Sequence, residues 1–182
     1  MPSSRRSPDA LSPGSTPGPV VSSAHLAAGA APGLSEVEYG LILAGHAFQR
    51  WIVLCAAAAG QPGLSPVEVL ILHTVQHRDR PKRQAEILLA LGIEDAHIAT
   101  YAIRKLAAAG LVRTSRAGKE KLVSTTPEGA ALCARYAALR ERLLAGPVGA
   151  GGPAGEALSA VASTLRTLSG FYDAASRAAA TL

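Results

Sequence analysis

The chain has few aromatic residues for its apolar content. Phe, Trp and Tyr make up 4% of its 182 residues, although 48% are hydrophobic, because alanine supplies much of that fraction. Small aliphatic side chains favour closely packed helices. We therefore expect a mainly helical fold with one sizeable core, since a chain of this length is too short for two ordinary domains.

The two cysteines do not form a metal-binding or redox motif. Cys55 and Cys133 lie far apart in apolar stretches, and no CxxC or Cys–His spacing occurs. Reduced, buried thiols in a cytoplasmic protein are the expectation. His73 and His77 have a spacing that suits zinc, but no third ligand lies nearby in the sequence, and packing is the favoured interpretation. We predict no metal and no cofactor.

Long apolar runs and catalytic motifs are also lacking. No apolar stretch reaches the length needed to span a bilayer, so we expect no membrane partner. Arg5 and Arg6 resemble a twin-arginine signal, but serine and proline follow at once, and export is not expected. Because the sequence has no Gly-rich phosphate loop, nucleophile elbow or recognisable catalytic carboxylate pair, we expect no enzyme.

Positive charge is concentrated in one part of the chain. The net charge is +5, and residues 78–121 hold ten of the 18 Lys and Arg residues with five acidic ones. A basic cluster permits binding to nucleic acid or to another anionic surface. The composition by itself does not choose between them.

The amino-terminal part combines an arm and a long helix. Residues 1–33 are rich in Pro, Ser, Gly and Ala, which predicts a disordered arm. Ser35 and Glu38 predict a capping box at the start of a helix over residues 36–59. The apolar positions of this helix are spaced alternately four and three, which is typical of a seam facing a partner helix; they are Val37, Leu41, Ala44, Phe48, Trp51 and Cys55.

Two shorter helices are predicted next. Ser65, Pro66 and Glu68 indicate a capped helix over residues 66–77. A third helix is expected over residues 82–91, with Lys82 and Arg83 exposed at its amino end, and Gly92 ends it in a left-handed conformation.

The next helix, over residues 95–109, has two distinct faces. A helical wheel places Ala99, Ala102, Ile103 and Leu106 on one side. The opposite side carries groups that donate, accept or stack: His97, Thr100, Tyr101 and Arg104. Gly110 ends the helix.

A basic hairpin and two further helices complete the chain. Short strands are predicted over residues 111–115 and 121–125, with Arg116, Lys119 and Lys121 near the tip. Thr126 and Pro127 open a helix to residue 145. A flexible linker over residues 146–155 precedes a last helix over residues 156–180, whose apolar seam predicts pairing within or between chains.

From residue 64 to about residue 144, the sequence resembles the MarR (multiple antibiotic resistance regulator) family of winged helix-turn-helix transcription factors. The stretches LSPVEVLIL, RKLAAAGLVRTS and KLVSTTPEGAAL carry the resemblance. It implies a single domain over residues 34–182: a dimerisation helix over residues 34–60, the winged helix-turn-helix over residues 64–126 and carboxy-terminal dimerisation helices over residues 127–182.

The resemblance also implies a function. We expect a cytoplasmic, homodimeric DNA-binding regulator, a repressor, that recognises a pseudo-palindromic duplex site with helix 95–109 in the major groove. His97, Thr100, Tyr101 and Arg104 are then candidate base or phosphate contacts. Phosphate contacts are expected from Lys82, Arg83, Arg116, Lys119 and Lys121.

The wing departs from the family pattern at two positions. Lys119 stands where the family usually has an arginine that enters the minor groove, and Ala117 stands where an aspartate is common. Lysine lacks the planar fork of arginine and suits a phosphate better than a narrow groove. The sequence therefore favours backbone contact by the wing.

Three alternatives stay open from the sequence. The same fold can serve as a protein-interaction module without specific DNA binding. A small-molecule effector can bind near Phe48, Trp51 and Tyr136, as the family suggests, although core packing explains these residues equally well. A metal-dependent sensor or an enzyme built on the histidines is the third.

Overall fold

The computed structural model describes residues 18–182 of the chain. Its contacts divide the chain into two units, residues 1–50 and residues 51–182. Arg5, Arg6 and most of the predicted disordered arm lie outside the described residues.

The first unit contains a short 3₁₀ helix and most of the first long helix. The 3₁₀ helix spans Ala24–Ala28, within the segment predicted to be disordered, and α1 spans Pro32–Ala58. The Oγ of Ser35 donates a hydrogen bond to the carbonyl of Leu26 at 2.7 Å. Ser35 therefore lies inside α1 and anchors the 3₁₀ helix, and the prediction that it caps a helix beginning at Glu36 is wrong.

By length and composition, α1 is apolar enough to cross a membrane. This differs from the expectation that no apolar stretch is long enough, because the helix continues through the isolated polar residues that interrupt the run. Helices that pack against other protein surfaces can have the same composition, so this property does not identify a membrane span.

The second unit is built on a helical core with a small sheet. It holds α2 (Pro66–Gln76), α3 (Gln84–Leu91), α4 (Ala96–Ala108) and α5 (Pro127–Arg140). Strands β1 (Lys82–Arg83), β2 (Val112–Ala117) and β3 (Glu120–Thr125) form an antiparallel sheet in the order β1-β3-β2. The predicted fold class, mainly α with a small β-wing, is confirmed.

The start of α2 follows the sequence prediction closely. The Oγ of Ser65 accepts from the Glu68 amide at 3.4 Å, and a Glu68 carboxylate oxygen accepts from the Ser65 amide at 2.9 Å. Pro66 occupies the first turn, where its missing amide proton is not needed. The predicted capping box is therefore present.

The start of α3 differs from the prediction. Lys82 and Arg83 are extended and pair with Val123 and Leu122 of β3, so the helix begins two residues later, at Gln84. Backbone pairing with a strand that lies about forty residues away in the sequence replaces the first helical turn. No local pattern in the sequence carries that information.

The buried faces of α2, α3 and α4 meet in one core. Ile71, Ile87, Ile103 and Leu106 are fully buried there, and Ile52, Cys55 and Ala56 from the end of α1 join them. Burial of such side chains stabilises the fold by about 1.5–3 kcal/mol each. The inner face predicted for α4 is thus confirmed.

The predicted linker after α5 is mostly helical. A π-helical turn over Glu141–Ala145 joins α5 to α6 (Gly146–Gly151), and α7 spans Gly155–Ala179. The widened turn precedes Pro147, which has no amide proton for the usual helical bond. A helix can therefore continue through this sequence, and the break is confined to residues 152–154.

A close backbone approach joins α5 to the start of the wing. A Cβ atom placed on Gly129 would lie 2.0 Å from the carbonyl oxygen of Leu111, which is less than any real contact. Glycine is therefore required at this position, in the first turn of α5.

We predict that Gly129→Ala lowers the free energy of unfolding by about 3 kcal/mol, because helix and strand must separate to admit the methyl group. Urea unfolding monitored by circular dichroism measures the change. Gly149→Ala is the matched control: its Cβ would meet no atom within 4 Å, and it should be neutral or stabilising by about 0.5 kcal/mol. Equal stabilities of the two variants would contradict the close approach.

Both thiols are free and buried, as predicted. The Sγ of Cys55 donates to the carbonyl of Tyr136 at 3.8 Å. Burial raises the pKa of the Cys55 thiol and raises the pKa of Cys133 to about 11. Neither thiol is suited to rapid oxidation, because the thiolate is the reactive form.

We predict that a thiol reagent at pH 8 modifies Cys133 slowly in the folded protein. With a pKa of about 11, roughly one thiol in a thousand is ionised at that pH. Reaction with Ellman's reagent should become fast in denaturant. Rapid modification of the folded chain would show that the carboxy-terminal part opens readily.

Candidate nucleic-acid interface

Helices α3 and α2 contact α4 on either side of its exposed face. Asp95 caps the helix, its carboxylate accepting from the His97 amide at 2.7 Å. On one edge, the Nε2 of Gln84 in α3 donates to Thr100 Oγ1 at 2.8 Å and to the Ala96 carbonyl at 3.3 Å. On the other edge, Lys105 pairs with Glu68 of α2 at 3.1 Å.

The four predicted contact residues of α4 fall into two groups. His97, Tyr101 and Arg104 are exposed, and Tyr101 is 64% accessible. Thr100 is half-buried: its hydroxyl donates to the Ala96 carbonyl at 2.8 Å and accepts from Gln84. Its single proton is therefore committed inside the domain, whereas the other three side chains are free to meet a ligand.

Lys82 does not lie where the sequence suggested. The prediction placed it on an exposed helix end, but it is 5% exposed. Its Nζ donates to the carbonyls of Val75, at 3.3 Å, and His77 at the end of α2. Burial lowers the pKa of the ammonium, and the nearby charge of Arg80 lowers it further. Lys82 therefore stabilises the turn after α2, and the expectation that it is exposed is wrong.

Arg83 joins α3 to the wing. Its guanidinium contacts Glu86 at 3.2 Å and Glu120 of β3 at 3.3 Å. The hydrogen bonds to these two carboxylates raise the pKa of Arg83. Since the side chain is half exposed, one edge of the guanidinium stays open to solvent.

The wing carries positive charges that have no acidic partner. Arg116, Lys119 and Lys121 are exposed, and none forms an ion pair with any part of the described chain. Arg116 and Lys121 stand directly opposite each other in the β2–β3 register. Gly118, with a φ of +60°, opens the two-residue turn between the strands. Like charges placed opposite each other disfavour the hairpin, and a bound anion would relieve that repulsion.

Gln84, Arg113 and Lys105 belong to this region but were not proposed from the sequence. Arg113 lies on β2 and donates to the Ser124 hydroxyl at 3.1 Å, with the rest of its guanidinium exposed. The position of Arg113 within the basic segment 78–121 is a sequence signal that identifies it as a candidate phosphate contact. The role of Gln84 depends on the approach of α3 to α4, which no sequence pattern indicates.

The histidines of α2 do not form a metal site with other residues. His73 packs edge-on against Tyr136 of α5, with ring centroids 4.5 Å apart. Burial lowers the pKa of His73. Across residues 18–182, no group of three His, Cys, Asp or Glu side chains is placed to hold a metal ion. The favoured interpretation of His73, packing, agrees with these contacts.

We predict that Lys121→Glu raises the free energy of unfolding by about 0.2–1 kcal/mol, because an opposite pair replaces the like charges across β2 and β3. Thermal unfolding at low salt measures the effect. Lys119→Glu, in the turn rather than opposite Arg116, is the control and should change stability less. A loss of stability in Lys121→Glu would argue against the cross-strand repulsion.

Part of the chain matches a known family model. Residues 64–129 match the family model described as "Winged helix DNA-binding domain". A search of curated proteins found no match. The matched residues run from the turn before α2 to the first turn of α5, which includes α4 and the wing.

Several solved structures share the fold. BldR from Sulfolobus solfataricus has a TM-score of 0.63 at 17% identity, covering 76% of this chain and 99% of that one. A MarR variant from E. coli complexed with operator DNA has a TM-score of 0.62 at 13% identity, and the match covers 78% of this chain and 99% of that one. CouR from Rhodococcus jostii RHA1, bound to p-coumaroyl-CoA, has a TM-score of 0.58 at 17% identity. The match covers 72% of this chain and 90% of that one. At these identities the likeness establishes the fold.

Proposed function

We propose that this chain, a winged-helix protein with the fold of the MarR family, binds duplex DNA in a sequence-selective manner and regulates transcription. The observation that carries the proposal is the geometry of α4. Its inner face is fully buried, while His97, Tyr101 and Arg104 project from a rigid helix next to a basic wing. A helix held in this way is suited to the major groove.

Base contacts are assigned to the exposed side chains of α4. Arg104 has no ion-pair partner among the residues described, and its guanidinium matches the paired acceptors of guanine. Tyr101 and His97 can meet a thymine methyl group or a phosphate. The part of Thr100 that can contact a base is its methyl group, since its hydroxyl proton is donated to the Ala96 carbonyl.

Phosphate contacts are assigned to the hairpin and its neighbours. Arg116 and Lys121 are exposed on one face of the hairpin and Lys119 is exposed in its turn, while Arg83 and Arg113 add charge on the other face. Such contacts position a protein on DNA without distinguishing sequences. Lys82 is left out of this set, because it is buried and bonded to carbonyl groups.

We further propose that the protein acts as a homodimer. Helix α7 has no buried residue, and its apolar positions Leu158, Val161, Leu165 and Phe171 are exposed. Leu41, Ile42 and Phe48 of α1 are exposed as well. Apolar faces of this extent are covered in a soluble protein, and a second copy of the chain is the partner that a pseudo-palindromic site requires. Residues 34–60 and 127–182 are the proposed dimerisation helices.

A repressor released by a small molecule is the proposed mode of action, in the cytoplasm, where buried thiols stay reduced. The structure of CouR bound to p-coumaroyl-CoA supports an effector by analogy of fold. A cleft of about 450 Å³ between α2 and α3 offers space for one. Its lining includes His73, Thr74, His77, Arg80 and Leu91.

The proposal is tested by selecting bound fragments from a random duplex pool and measuring affinity over a salt series. Affinity should fall steeply with salt, with a slope of about 0.9 per neutralised phosphate, and the selected sites should contain two inverted half-sites. Arg104→Ala should bind its site roughly 10- to 100-fold more weakly and lose preference at one base pair.

Arg142→Ala is the control for loss of an exposed arginine outside α4 and the wing, and its oligomeric state is measured with its affinity, because it lies in a proposed dimerisation helix. It should bind as the wild type does. If the chain bound no duplex at low salt, the alternative function, a winged-helix module for protein contacts, would replace DNA binding.

A further inference from the structure

We propose that Lys105 is a positioning residue that sets the angle of the recognition helix α4 through the buried carboxylate of Glu68, and so determines DNA selectivity without contacting DNA. The inference rests on the proposed function. Lys105 lies one turn after Tyr101 and next to Arg104, so its sequence position suggests one more cationic DNA contact. Its contacts in the fold point elsewhere.

Glu68 is a fixed, buried acceptor. Its side chain is 3% exposed, and its Oε2 already accepts from the Ser65 amide at 2.9 Å in the capping box. The flanking residues Val69, Ile71 and Leu72 are buried in the core, so the first turn of α2 has little freedom. A carboxylate in this setting needs a cation close by, because burial without a partner is strongly unfavourable.

Lys105 supplies that cation, and the Glu68 carboxylate in turn fixes the position of the Lys105 side chain. Its Nζ lies 3.1 Å from Glu68 Oε2 and donates to the Gly63 carbonyl at 3.1 Å. Gly63 has a φ of +82°, in the turn just before α2. Two of the three ammonium protons are thus directed at the α2 side of the domain, and the side chain is turned away from a ligand on the open face of α4.

At this edge, an open groove lies above the core packing of α4 against α2. The groove, of about 480 Å³, runs between the first turn of α2 and α4. Its lining includes Val67, Glu68, Ile98, Tyr101 and Lys105. Since side chains do not fill this space, the ion pair is the contact that spans it. The core beneath the groove and the hydrogen bond from Thr126 to the Gly110 carbonyl also hold α4, so loss of the pair changes the helix angle within the range that they allow.

A tilt would displace the side chains that meet the bases. The amino end of α4 is held by the Asp95 cap and by Gln84, and the carbonyl of Gly110 after its last turn accepts from Thr126, so the pair sets a rotation between these two attachments. Lys105 lies nine residues from Ala96, roughly 13 Å along the helix axis. A few degrees of rotation over that length moves Tyr101 and Arg104 by an amount comparable to the tolerance of a paired hydrogen bond.

The test compares affinity for the selected duplex with affinity for an unrelated duplex of the same length, over a salt series, in four variants of the full chain. Lys105→Met should lower the ratio of the two affinities about tenfold, while the salt dependence on the unrelated duplex stays unchanged. Lys105→Arg should keep the ratio, because its guanidinium can pair with Glu68.

Lys119→Met is the matched control for loss of a lysine that contacts phosphate. It should weaken binding to both duplexes and reduce the salt slope by about 0.9, with the ratio kept. The double variant Glu68→Gln/Lys105→Met removes both charges, and its amide can still accept from Ser65. It should recover the thermal stability lost in Lys105→Met while the ratio stays low, which separates positioning from folding.

The inference would be overturned if Lys105→Met left the ratio of the two affinities unchanged. A decrease in the salt dependence of affinity as large as that of Lys119→Met would also overturn it. Recovery of the ratio together with the stability in the double variant would also overturn it, since the ion pair would then act only on folding. If Lys105→Met does not fold, the double variant decides alone. A wild-type chain that binds no duplex overturns the proposed function and this inference together.

Discussion

One threonine joins the three parts of the winged-helix unit. The hydroxyl of Thr126 donates to the Gly110 carbonyl at 2.6 Å and accepts from the Gly129 amide at 3.0 Å, and its own amide donates to the Leu111 carbonyl at 3.1 Å. The end of α4, the start of the wing and the cap of α5 therefore meet at a single residue. Helix and strand approach so closely there that a glycine is needed.

This junction constrains how the domain can move. Since α5 begins at the carbonyls that end α4, a displacement of α5 carries the carboxyl end of α4 and the base of the wing with it. The amino end of α4 is held separately, through Asp95 and Gln84. These hydrogen bonds are the physical connection between α5 and the carboxyl end of α4.

Local signals in the sequence predicted much of this unit. The Ser65 and Glu68 capping box, the left-handed Gly92 and Gly110, and the buried stripe of α4 all follow from residues within a few positions of each other. The departures have different causes. Lys82 pairs with the distant strand β3, Ser35 bonds to the Leu26 carbonyl of the preceding 3₁₀ helix, and a π-helical turn lets the helix continue into the segment 146–155.

The sequence by itself determined the positions of α2, α4 and α5, the buried face of α4 and the region where positive charge is concentrated, because these depend on periodicity and on residue type. The tertiary structure decided what each cation does. Lys82 donates to carbonyls, Lys105 pairs with Glu68 and Arg83 with Glu120, whereas Arg104, Arg116, Lys119 and Lys121 stay unpaired among the described residues. A charge on a helix wheel has no assigned partner until elements distant in the sequence come together, and only the partner distinguishes a structural lysine from one that is free to bind a phosphate.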